Sequence, residues 1–539
     1  MLFTSLPFII FAILLFFLYY LVPKKGQWIV LLIGSLVFYF WAGWKYFIFL
    51  VGTIIVFYLL GLWIGKVNES EESKIAKLKE EISDNEAFKQ ERNKTRKTIG
   101  KYKNLICFIG VLLGLGVLFF FKYFNFFGST FVFWFMKDKT YVGLDLIVPI
   151  GLSFYLFSSI GYLIDVGRGV HPSEKNIFKF ALFVSFFPVV MQGPICSYSE
   201  LSTELYSPHD LDQSNVSNGF RRLLLGFFKK VVIADLIGIV VSEVMSNYTD
   251  YHGFIFFIII VFYAIQLYAD FSGYMDIAIG YALMLGIKLP ENFDTPYLSH
   301  SIAEFWRRWH ITLGTWFRNY MYFPILRSGW INKIKKGTSK KNKKVGETLV
   351  TIIALILVWV SIGLWHGASF NFLIYGCFHG FFVICDAALS GVYKKTRNLL
   401  HIKEESKGYR CFQVIRTFII VCIGFYFFRA ATLPQIGYMF KETVRVWDWH
   451  QIVDDSLINL GVHWSLFIVV PISILIVIFL NPLFRNITPT SIMKYDLRKK
   501  TPIAVQWIFI VIISWAVIAV YIYERSLGSV ANSFIYFEF

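Results

Sequence analysis

Two histidines that each follow a tryptophan are the best candidates for chemistry in this sequence. Trp309 and His310 lie in the segment FWRRWHITLGTWFRNYMYF, and Trp365 and His366 end a long apolar run in the segment GLWHGA. Histidine can accept a proton near neutral pH, and burial favours its neutral, proton-accepting form. An ionisable residue at the end of an apolar run is a functional-site hypothesis by default, although a structural hydrogen bond to a neighbouring helix is an equal alternative for His366.

The segment around His310 is predicted to be one helix. Ser301 and Glu304 have the Ser-x-x-Glu spacing of a capping box, which would start the helix there. On a continuous helix, Arg307, His310 and Arg318 would share one face, opposite an aromatic face. The segment is too charged for an ordinary lipid-facing span. It is therefore either an interfacial anchor helix or a helix whose Arg/His face lines a polar passage.

The composition indicates a polytopic membrane protein. Of 539 residues, 56% are hydrophobic, 19% aromatic and only 16% charged. The net charge of +17 comes from Lys and Arg that lie between apolar runs, so the positive-inside rule explains it better than nucleic-acid binding does. We predict an all-α integral membrane protein with about 11 transmembrane helices plus re-entrant or interfacial helices. Its six scattered cysteines contain no Cys-x-x-Cys pair and are expected to be free packing residues.

The order of apolar and charged stretches predicts four parts. Residues 1–65 are N-terminal transmembrane helices, and no cleavage site follows the first run, so we expect it to be retained. Residues 66–103 alternate in charge sign, which predicts a solvated, cytoplasmic helical segment with i,i+4 ion pairs. Residues 104–431 form the membrane core, and residues 432–539 form C-terminal transmembrane helices. Seven lysines and no acid between Lys333 and Lys344 mark a further cytoplasmic stretch.

Acidic residues also occur within an apolar run, at Asp270 and Asp276. Acids at membrane depth are costly unless they face the interior of the helix bundle. The favoured interpretation is structural, with each acid bonded to backbone or to a neighbouring arginine, although Asp270 could instead hold a histidine tautomer. The basic residues of segment 220–241 predict that it lies partly along the membrane surface before it enters.

Several other functions have no support in the sequence. It contains no Walker loop and no dinucleotide fingerprint. Its histidines lack metal-ligand spacing, so no metal is expected. An internal repeat is not evident, which weakens an inverted-repeat transporter as an interpretation.

A family resemblance rests on two long motifs, EFWRRWHITLGTWFRNYMYFP and GLWHGASFNFLIYGCFHG. Both resemble the membrane-bound O-acyltransferase family, and most closely its bacterial, alginate O-acetyltransferase-like branch. The phrases SFFPVVMQGPI, LYADFSGYMDIAIGYALMLGI and LPENFDTPYLSHSIAEFWRRWH extend the likeness, which covers most of the chain to about Phe428. The insert 66–103 and the residues after Ala431 match less clearly.

The resemblance implies a multi-pass protein of the bacterial inner (plasma) membrane whose helices surround a central passage. It implies an acyl donor on the cytoplasmic side, either acetyl-CoA or an acyl carrier protein, and no bound cofactor. The acceptor would be an extracytoplasmic cell-envelope polysaccharide, with an SGNH or esterase-like extracytoplasmic partner completing the transfer. Membrane lipid would surround the chain, and no nucleic acid is expected.

The family's catalytic histidine maps onto His366 and its second histidine onto His310. We expect His366 to act as general base, and His310 to orient the donor or stabilise the oxyanion. Arg307 and Arg318 could contact the phosphates of coenzyme A. Three further residues are expected to support the site: Asp270, Trp365 and Asn371. The alternatives are D-alanyl transfer to teichoic acid from a carrier protein, a polytopic transporter or flippase, and a scaffold of a cell-envelope complex.

Overall fold

The computed structural model describes residues 1–136, 140–339, 343–445 and 502–526. Within these ranges all regular secondary structure is helical, and extended backbone pairs only at an isolated antiparallel bridge between Phe293 and Trp309. The predicted all-α fold is therefore confirmed. The apolar run from Leu466 to Leu480, which the sequence predicts to be one of the C-terminal spans, lies outside the described residues.

The chain divides into two compact units. The first comprises Met1–Asp212 and Leu285–Leu289, and the second comprises the described residues of Gln213–Met284 and Pro290–Phe539. The helices of the first unit are α1 (Leu6–Leu21), α2 (Gln27–Phe40), α3 (Trp44–Glu81), α4 (Asn85–Leu118), α5 (Phe124–Phe135), α6 (Leu152–Arg168), α7 (Ile177–Ser185), α8 (Phe187–Val190) and α9 (Tyr198–Tyr206).

The charged segment 66–103 contains the end of one helix and the start of the next, and not a single helix. Helix α3 ends at Glu81, and Asp84 starts α4 by accepting hydrogen bonds from the next backbone N–H groups. Glu71 on α3 pairs with Lys103 on α4 at 2.6 Å. Glu71 therefore pairs with a residue of a neighbouring helix, whereas the sequence predicted i,i+4 ion pairs along a single helix.

The second unit carries the candidate site. Its helices are α10 (Gln213–Phe227), α11 (Leu236–Ser246), α12 (Phe254–Met284), α13 (Ile302–Arg308), α14 (Ile311–Phe317), α15 (Phe323–Arg327), α16 (Gly329–Ser339), α17 (Lys343–His366), α18 (Phe370–Ala388), α19 (Ser390–Leu399), α20 (Lys407–Arg429), α21 (Leu433–Arg445) and α22 (Ile503–Ser526). A π-helical segment, Phe228–Asp235, joins α10 to α11.

Seven helices of the described residues are long and apolar enough to cross a membrane. They are α3, the continuous run of α4 and α5, α12, α17, α18, α20 and most of α22. The predicted number of about 11 is not confirmed. The apolar run 144–163, whose length predicts a further span, is helical only from Leu152. The short apolar run 180–190 breaks at Phe186 into two short helices, α7 and α8.

The basic residues from which segment 220–241 was predicted to lie partly along the membrane surface are mostly inside the protein. Arg222, Lys229 and Lys230 are all buried against α12. Asp276 lies 3.0 Å from the Arg222 Nε atom and 2.7 Å from the Lys229 Nζ atom. Lys230 lies 2.8 Å from Asp270. Burial is tolerated here because each cation faces an acid from the neighbouring helix, which offsets much of the desolvation cost.

Helices α17 and α18 form a tightly packed hairpin that fixes the end of α17. A Cβ atom at Gly376 would lie 2.5 Å from the Trp359 carbonyl oxygen, and one at Gly363 would lie 2.6 Å from the Phe372 carbonyl oxygen. Small residues at these positions let the two backbones approach closely. The hairpin therefore places His366 beside the first turns of α18.

Candidate active site

The predicted single helix from Ser301 is broken in the middle. Ser301 does start α13, because its hydroxyl accepts a hydrogen bond from the Glu304 N–H. Helix α13 then ends at Arg308, and α14 starts after His310, whose backbone is left-handed with φ 46° and ψ 52°. A non-glycine residue in this region is uncommon and costs about 1 kcal/mol or more. Because of this break, Arg307, His310 and Arg318 do not share the face of one helix.

A neighbouring stretch of backbone holds the break in place. The Asp294 N–H donates to the Arg308 carbonyl, and the Ile311 N–H donates to the Asn292 carbonyl, at 2.9 and 3.0 Å. The preceding residue, Glu291, receives two hydrogen bonds from the Arg222 guanidinium, at 2.5 and 2.6 Å. Two hydrogen bonds from one guanidinium fix the position of the Glu291 carboxylate and also offset its charge. The backbone turn at His310 is thus held by residues that lie outside helices α13 and α14.

His310 is almost completely buried, at 1% exposure. Its Nδ1 atom lies 3.2 Å from the Asn292 Oδ1 atom. The rings of Phe271 and Trp365 pack against the imidazole at centroid distances of 4.8 and 5.7 Å. Burial lowers the pKa of His310, which lies between the candidate membrane spans and not within one. The imidazole is therefore neutral at physiological pH.

His366 is the last residue of α17 and is 3% exposed. Its ring packs against those of Trp365, Tyr375 and Phe428, at centroid distances of 4.9, 5.6 and 5.2 Å. The second and third of these rings come from α18 and α20, so three helices enclose the imidazole.

The structure brings the two predicted histidines to the same tryptophan. The Trp365 ring contacts the imidazoles of both His310 and His366, at centroid distances of 5.7 and 4.9 Å. These histidines are 56 positions apart in the chain and reach this arrangement from a broken helix and from the end of a long one. The structure thus brings both predicted histidines into contact with one indole.

The other predicted site residues have different surroundings. Asn371 donates a hydrogen bond from its Nδ2 atom to the Ala430 carbonyl at 2.7 Å, which ties the start of α18 to the end of α20. Asp270 forms the buried ion pair with Lys230. Arg307 and Arg318 are exposed. Among the described residues, no group of three or more His, Cys, Asp or Glu could hold a metal ion.

Comparison with known proteins identifies the family. A model of the membrane-bound O-acyltransferase family matches residues 168–432, which include both histidines. Over 455 residues the chain is 34% identical to the probable alginate O-acetylase AlgI of Azotobacter vinelandii, an alignment that covers 83% of this chain and 79% of that protein. The chain belongs to the membrane-bound O-acyltransferase family. It is accordingly an O-acyltransferase and a multi-pass membrane protein, as the sequence motifs predicted.

Two further relatives of this O-acyltransferase act on different polymers. The peptidoglycan O-acetyltransferase of Helicobacter pylori is 30% identical over 451 residues, covering 79% of this chain and 74% of that protein. The teichoic acid D-alanyltransferase of Bacillus subtilis is 27% identical over 295 residues, covering 53% of this chain and 69% of that protein.

Sequence reasoning did not assign a role to two residues at the site of the acyltransferase. His379 on α18 is fully buried, and its ring lies 4.7 Å from that of Tyr375, which also contacts His366. Within the described part of the chain neither ring nitrogen of His379 has a hydrogen-bond partner. The spacing of four residues from Tyr375 to His379 was a usable signal, since it places both on one helix face. Asn292 gave no such signal, because its contact with His310 depends on backbone pairing.

Proposed function

We propose that this O-acyltransferase takes an acetyl group from a cytoplasmic thioester donor and delivers it across the membrane for O-acetylation of an extracytoplasmic cell-envelope polysaccharide. The observation that carries the proposal is the contact of two buried histidines with one tryptophan, in a chain of membrane-spanning helices. The alginate O-acetylase and peptidoglycan O-acetyltransferase relatives support polysaccharide as the acceptor class and acetyl as the acyl group.

His366 is the general base in this proposal. Its neutral imidazole accepts the proton of the acceptor hydroxyl while that oxygen attacks the thioester carbonyl carbon. The tetrahedral intermediate then collapses, the carbon–sulfur bond breaks, and the thiolate leaves and takes up the proton from His366, which restores the neutral imidazole. Burial among aromatic rings strengthens each electrostatic interaction of the reacting atoms by lowering the local dielectric constant. No covalent bond to His366 is required.

The length of α17 supports a transfer across the membrane. Its 24 residues extend about 35 Å, which is close to the thickness of the hydrocarbon core. The lysines between Lys333 and Lys344 favour a cytoplasmic start of this helix. His366, at its other end, would then lie towards the outer side. We infer that a central passage lets the acyl group of a cytoplasmic donor reach it.

The donor is acetyl-CoA or an acylated carrier protein. Exposed arginines suit the phosphates of coenzyme A, and Arg307 and Arg318 precede and follow the His310 turn. They are proposed as donor-binding residues, with Trp365, Asn371 and Asp270 supporting the site. An extracytoplasmic SGNH or esterase-like partner would receive the acetyl group and complete the transfer to the polysaccharide.

D-alanyl transfer to teichoic acid from a carrier protein is the second candidate. It is favoured by the likeness to the Bacillus subtilis D-alanyltransferase. The chemistry at His366 would be the same, because both reactions move an acyl group from a thioester to a hydroxyl. The two candidates differ in the acyl group and in the polymer that carries it.

The test is to measure ester-linked acetate on cell-envelope polysaccharides of cells that carry the wild type, His366→Ala or no copy. The exposed histidine variant His252→Ala is the matched control, and membrane levels of each protein are measured. We expect equal loss of acetate in His366→Ala and in the deletion, with the variant protein present and His252→Ala unaffected. Unchanged acetate in the deletion would reject the proposal, and D-alanyl esters and then transport would be assayed next.

A further inference from the structure

The side chain of Asn292 is the point at which the His310 turn is fixed. It is completely buried. Its Oδ1 atom lies 3.0 Å from the Thr312 backbone nitrogen, 2.9 Å from the Thr312 Oγ1 atom and 3.2 Å from the His310 Nδ1 atom. One amide oxygen therefore faces both the backbone that follows the turn and the imidazole itself.

These contacts determine which way the Asn292 amide is turned. A backbone N–H can only donate, so the Asn292 atom that faces the Thr312 nitrogen must be the oxygen. The amide nitrogen at the opposite end faces the Met275 Sδ atom at 3.4 Å, and a thioether sulfur accepts hydrogen bonds. Both ends of the amide thus agree on the same orientation.

The orientation of Asn292 then determines the tautomer of His310. An amide oxygen cannot donate, so the hydrogen between it and the imidazole belongs to the His310 Nδ1 atom. A neutral imidazole that carries its proton on Nδ1 has the lone pair on Nε2. This nitrogen can accept a hydrogen bond but cannot donate one. A group that stabilises an oxyanion has to donate.

We infer that Asn292 is a positioning residue that holds His310 as the Nδ1–H tautomer, so that His310 Nε2 accepts a hydrogen bond from an N–H or O–H group of a bound substrate. This inference rests on the proposed function for the identity of that substrate. The group is either an amide N–H on the arm of the thioester donor or a hydroxyl of the acceptor. Of the two roles that the sequence left open for His310, orientation of the donor fits this tautomer and oxyanion stabilisation does not.

The surrounding structure supports a positioning role. The two hydrogen bonds from Arg222 to Glu291 fix the residue next to Asn292. The Asn292 backbone carbonyl also accepts a hydrogen bond from the N–H of Ile311, the residue that follows the strained His310 backbone. A catalytic side chain is most effective when its own partners are held rigidly.

Three variants separate positioning from simple structural support. Asn292→Asp keeps an oxygen that can accept from His310 Nδ1, whereas Asn292→Leu removes it. Thr312→Val is the matched control, because it removes the hydroxyl contact to the same oxygen and leaves the backbone N–H in place. Each is reconstituted as the full chain in lipid and compared with the wild type.

The first readout is the tautomer itself. Solid-state nitrogen-15 NMR of histidine-labelled protein distinguishes a protonated Nδ1 from a protonated Nε2, and the His310 signal is identified by its loss in His310→Gln. We expect Nδ1–H in the wild type, in Asn292→Asp and in Thr312→Val, and Nε2–H in Asn292→Leu. Protonated Nε2 in the wild type would overturn the inference even if Asn292→Leu fails to fold. The result does not depend on which polymer is acylated, so failure of the proposed function is a separate outcome.

The second readout is kinetic. We expect Asn292→Leu to lower kcat/KM for acyl transfer by about ten- to a hundred-fold, because a buried hydrogen bond is lost, and Asn292→Asp to restore most of it. A raised KM for the thioester identifies the donor N–H as the group bound by His310, and a raised KM for the acceptor identifies its hydroxyl. If neither KM changes, the substrate contact is wrong.

Discussion

Two buried polar clusters of the second unit are built in opposite ways. We call the first the ion-pair cluster; it contains Arg222, Lys229, Lys230, Asp235, Asp270, Asp276 and Glu291, in which each charge lies within 3.0 Å of an opposite charge. The second is the histidine cluster; it contains His310, Trp365, His366, Tyr375 and His379, which contact one another through their rings.

We expect this difference to separate a cluster that supports the fold from a cluster that carries the chemistry. In the ion-pair cluster each side chain is paired with an opposite charge, three cations with four acids, so its members have little remaining capacity to exchange a proton with a substrate. The histidine cluster surrounds its imidazoles with aromatic carbon and fixes His310 through a neutral amide. A general base has to be neutral before it can act, and an apolar wall favours that state. We therefore expect the acids of the ion-pair cluster to support the site and the histidines of the histidine cluster to carry its chemistry.

Removal of the His366 imidazole tests the histidine cluster and is expected to have the largest effect. We expect His366→Ala to lower the rate of acyl transfer by about 10²- to 10⁴-fold, which is the usual contribution of a general base. Because truncation of this buried side chain leaves a cavity, we expect a moderate fall in the thermal unfolding midpoint of the purified protein, which should still be folded under assay conditions. Retention of more than a tenth of wild-type activity would show that His366 is not the base.

Removal of the Asp276 carboxylate tests the ion-pair cluster. Asp276→Leu leaves Arg222 and Lys229 buried beside an apolar side chain, and breaking a buried pair in this way costs about 3–5 kcal/mol. We expect a lower unfolding temperature and a lower yield of folded protein in detergent. The double variant Lys229→Met, Asp276→Leu should recover much of the loss, since Arg222 keeps its two hydrogen bonds to Glu291. A double variant as unstable as the single one would contradict this account.

The same two clusters show what the sequence could predict. The apolar run that ends at His366 and the start of a helix at Ser301 depend on local pattern, and both were predicted. The break at His310 was not, because no glycine or proline lies at that position and the periodicity continues through it. Its cause is backbone pairing with Asn292 and Asp294, residues outside the helical segment.

Burial of the basic residues was missed for a similar reason. A lysine in an apolar run suggests a surface unless its partner is known, and the partner of Lys229 is 47 positions later in the chain. The helix pair that joins them packs through glycines: a Cβ atom at Gly226 would lie 2.6 Å from the Gly273 carbonyl oxygen. Sequence periodicity indicates which face of a helix is apolar. It does not indicate which acidic residue, distant in the chain, will pair with a buried lysine.

The hairpin that holds the histidine cluster can be disturbed without altering a ring. Gly376→Ala would place a methyl group 2.5 Å from the Trp359 carbonyl oxygen, so α17 and α18 have to separate. We expect a loss of stability of about 1–3 kcal/mol. Acyl transfer should fall as well, since Tyr375 precedes Gly376 and contacts His366. Gly391→Ala is the control, because nothing lies within 4 Å of its added methyl group. Equal behaviour of the two variants would show that close packing at Gly376 does not support the site.

The smallest effects are expected at the exposed arginines. If Arg307 and Arg318 contact the phosphates of coenzyme A, replacement of either by alanine should raise the donor KM by about two- to five-fold, because exposed ion pairs contribute less than about 1 kcal/mol. The kcat value should stay constant, since neither side chain belongs to the histidine cluster. The exposed Arg410 on α20 provides a matched control variant, Arg410→Ala.

Salt dependence separates a phosphate contact from other causes of a raised KM. Added salt screens exposed charges, so the difference in donor KM between the wild type and either arginine variant should shrink as ionic strength rises. A donor KM that does not respond to either substitution would remove both arginines from the donor site. The helical spacing that first suggested them would then have failed entirely, because the break at His310 had already removed the shared face on which it depended.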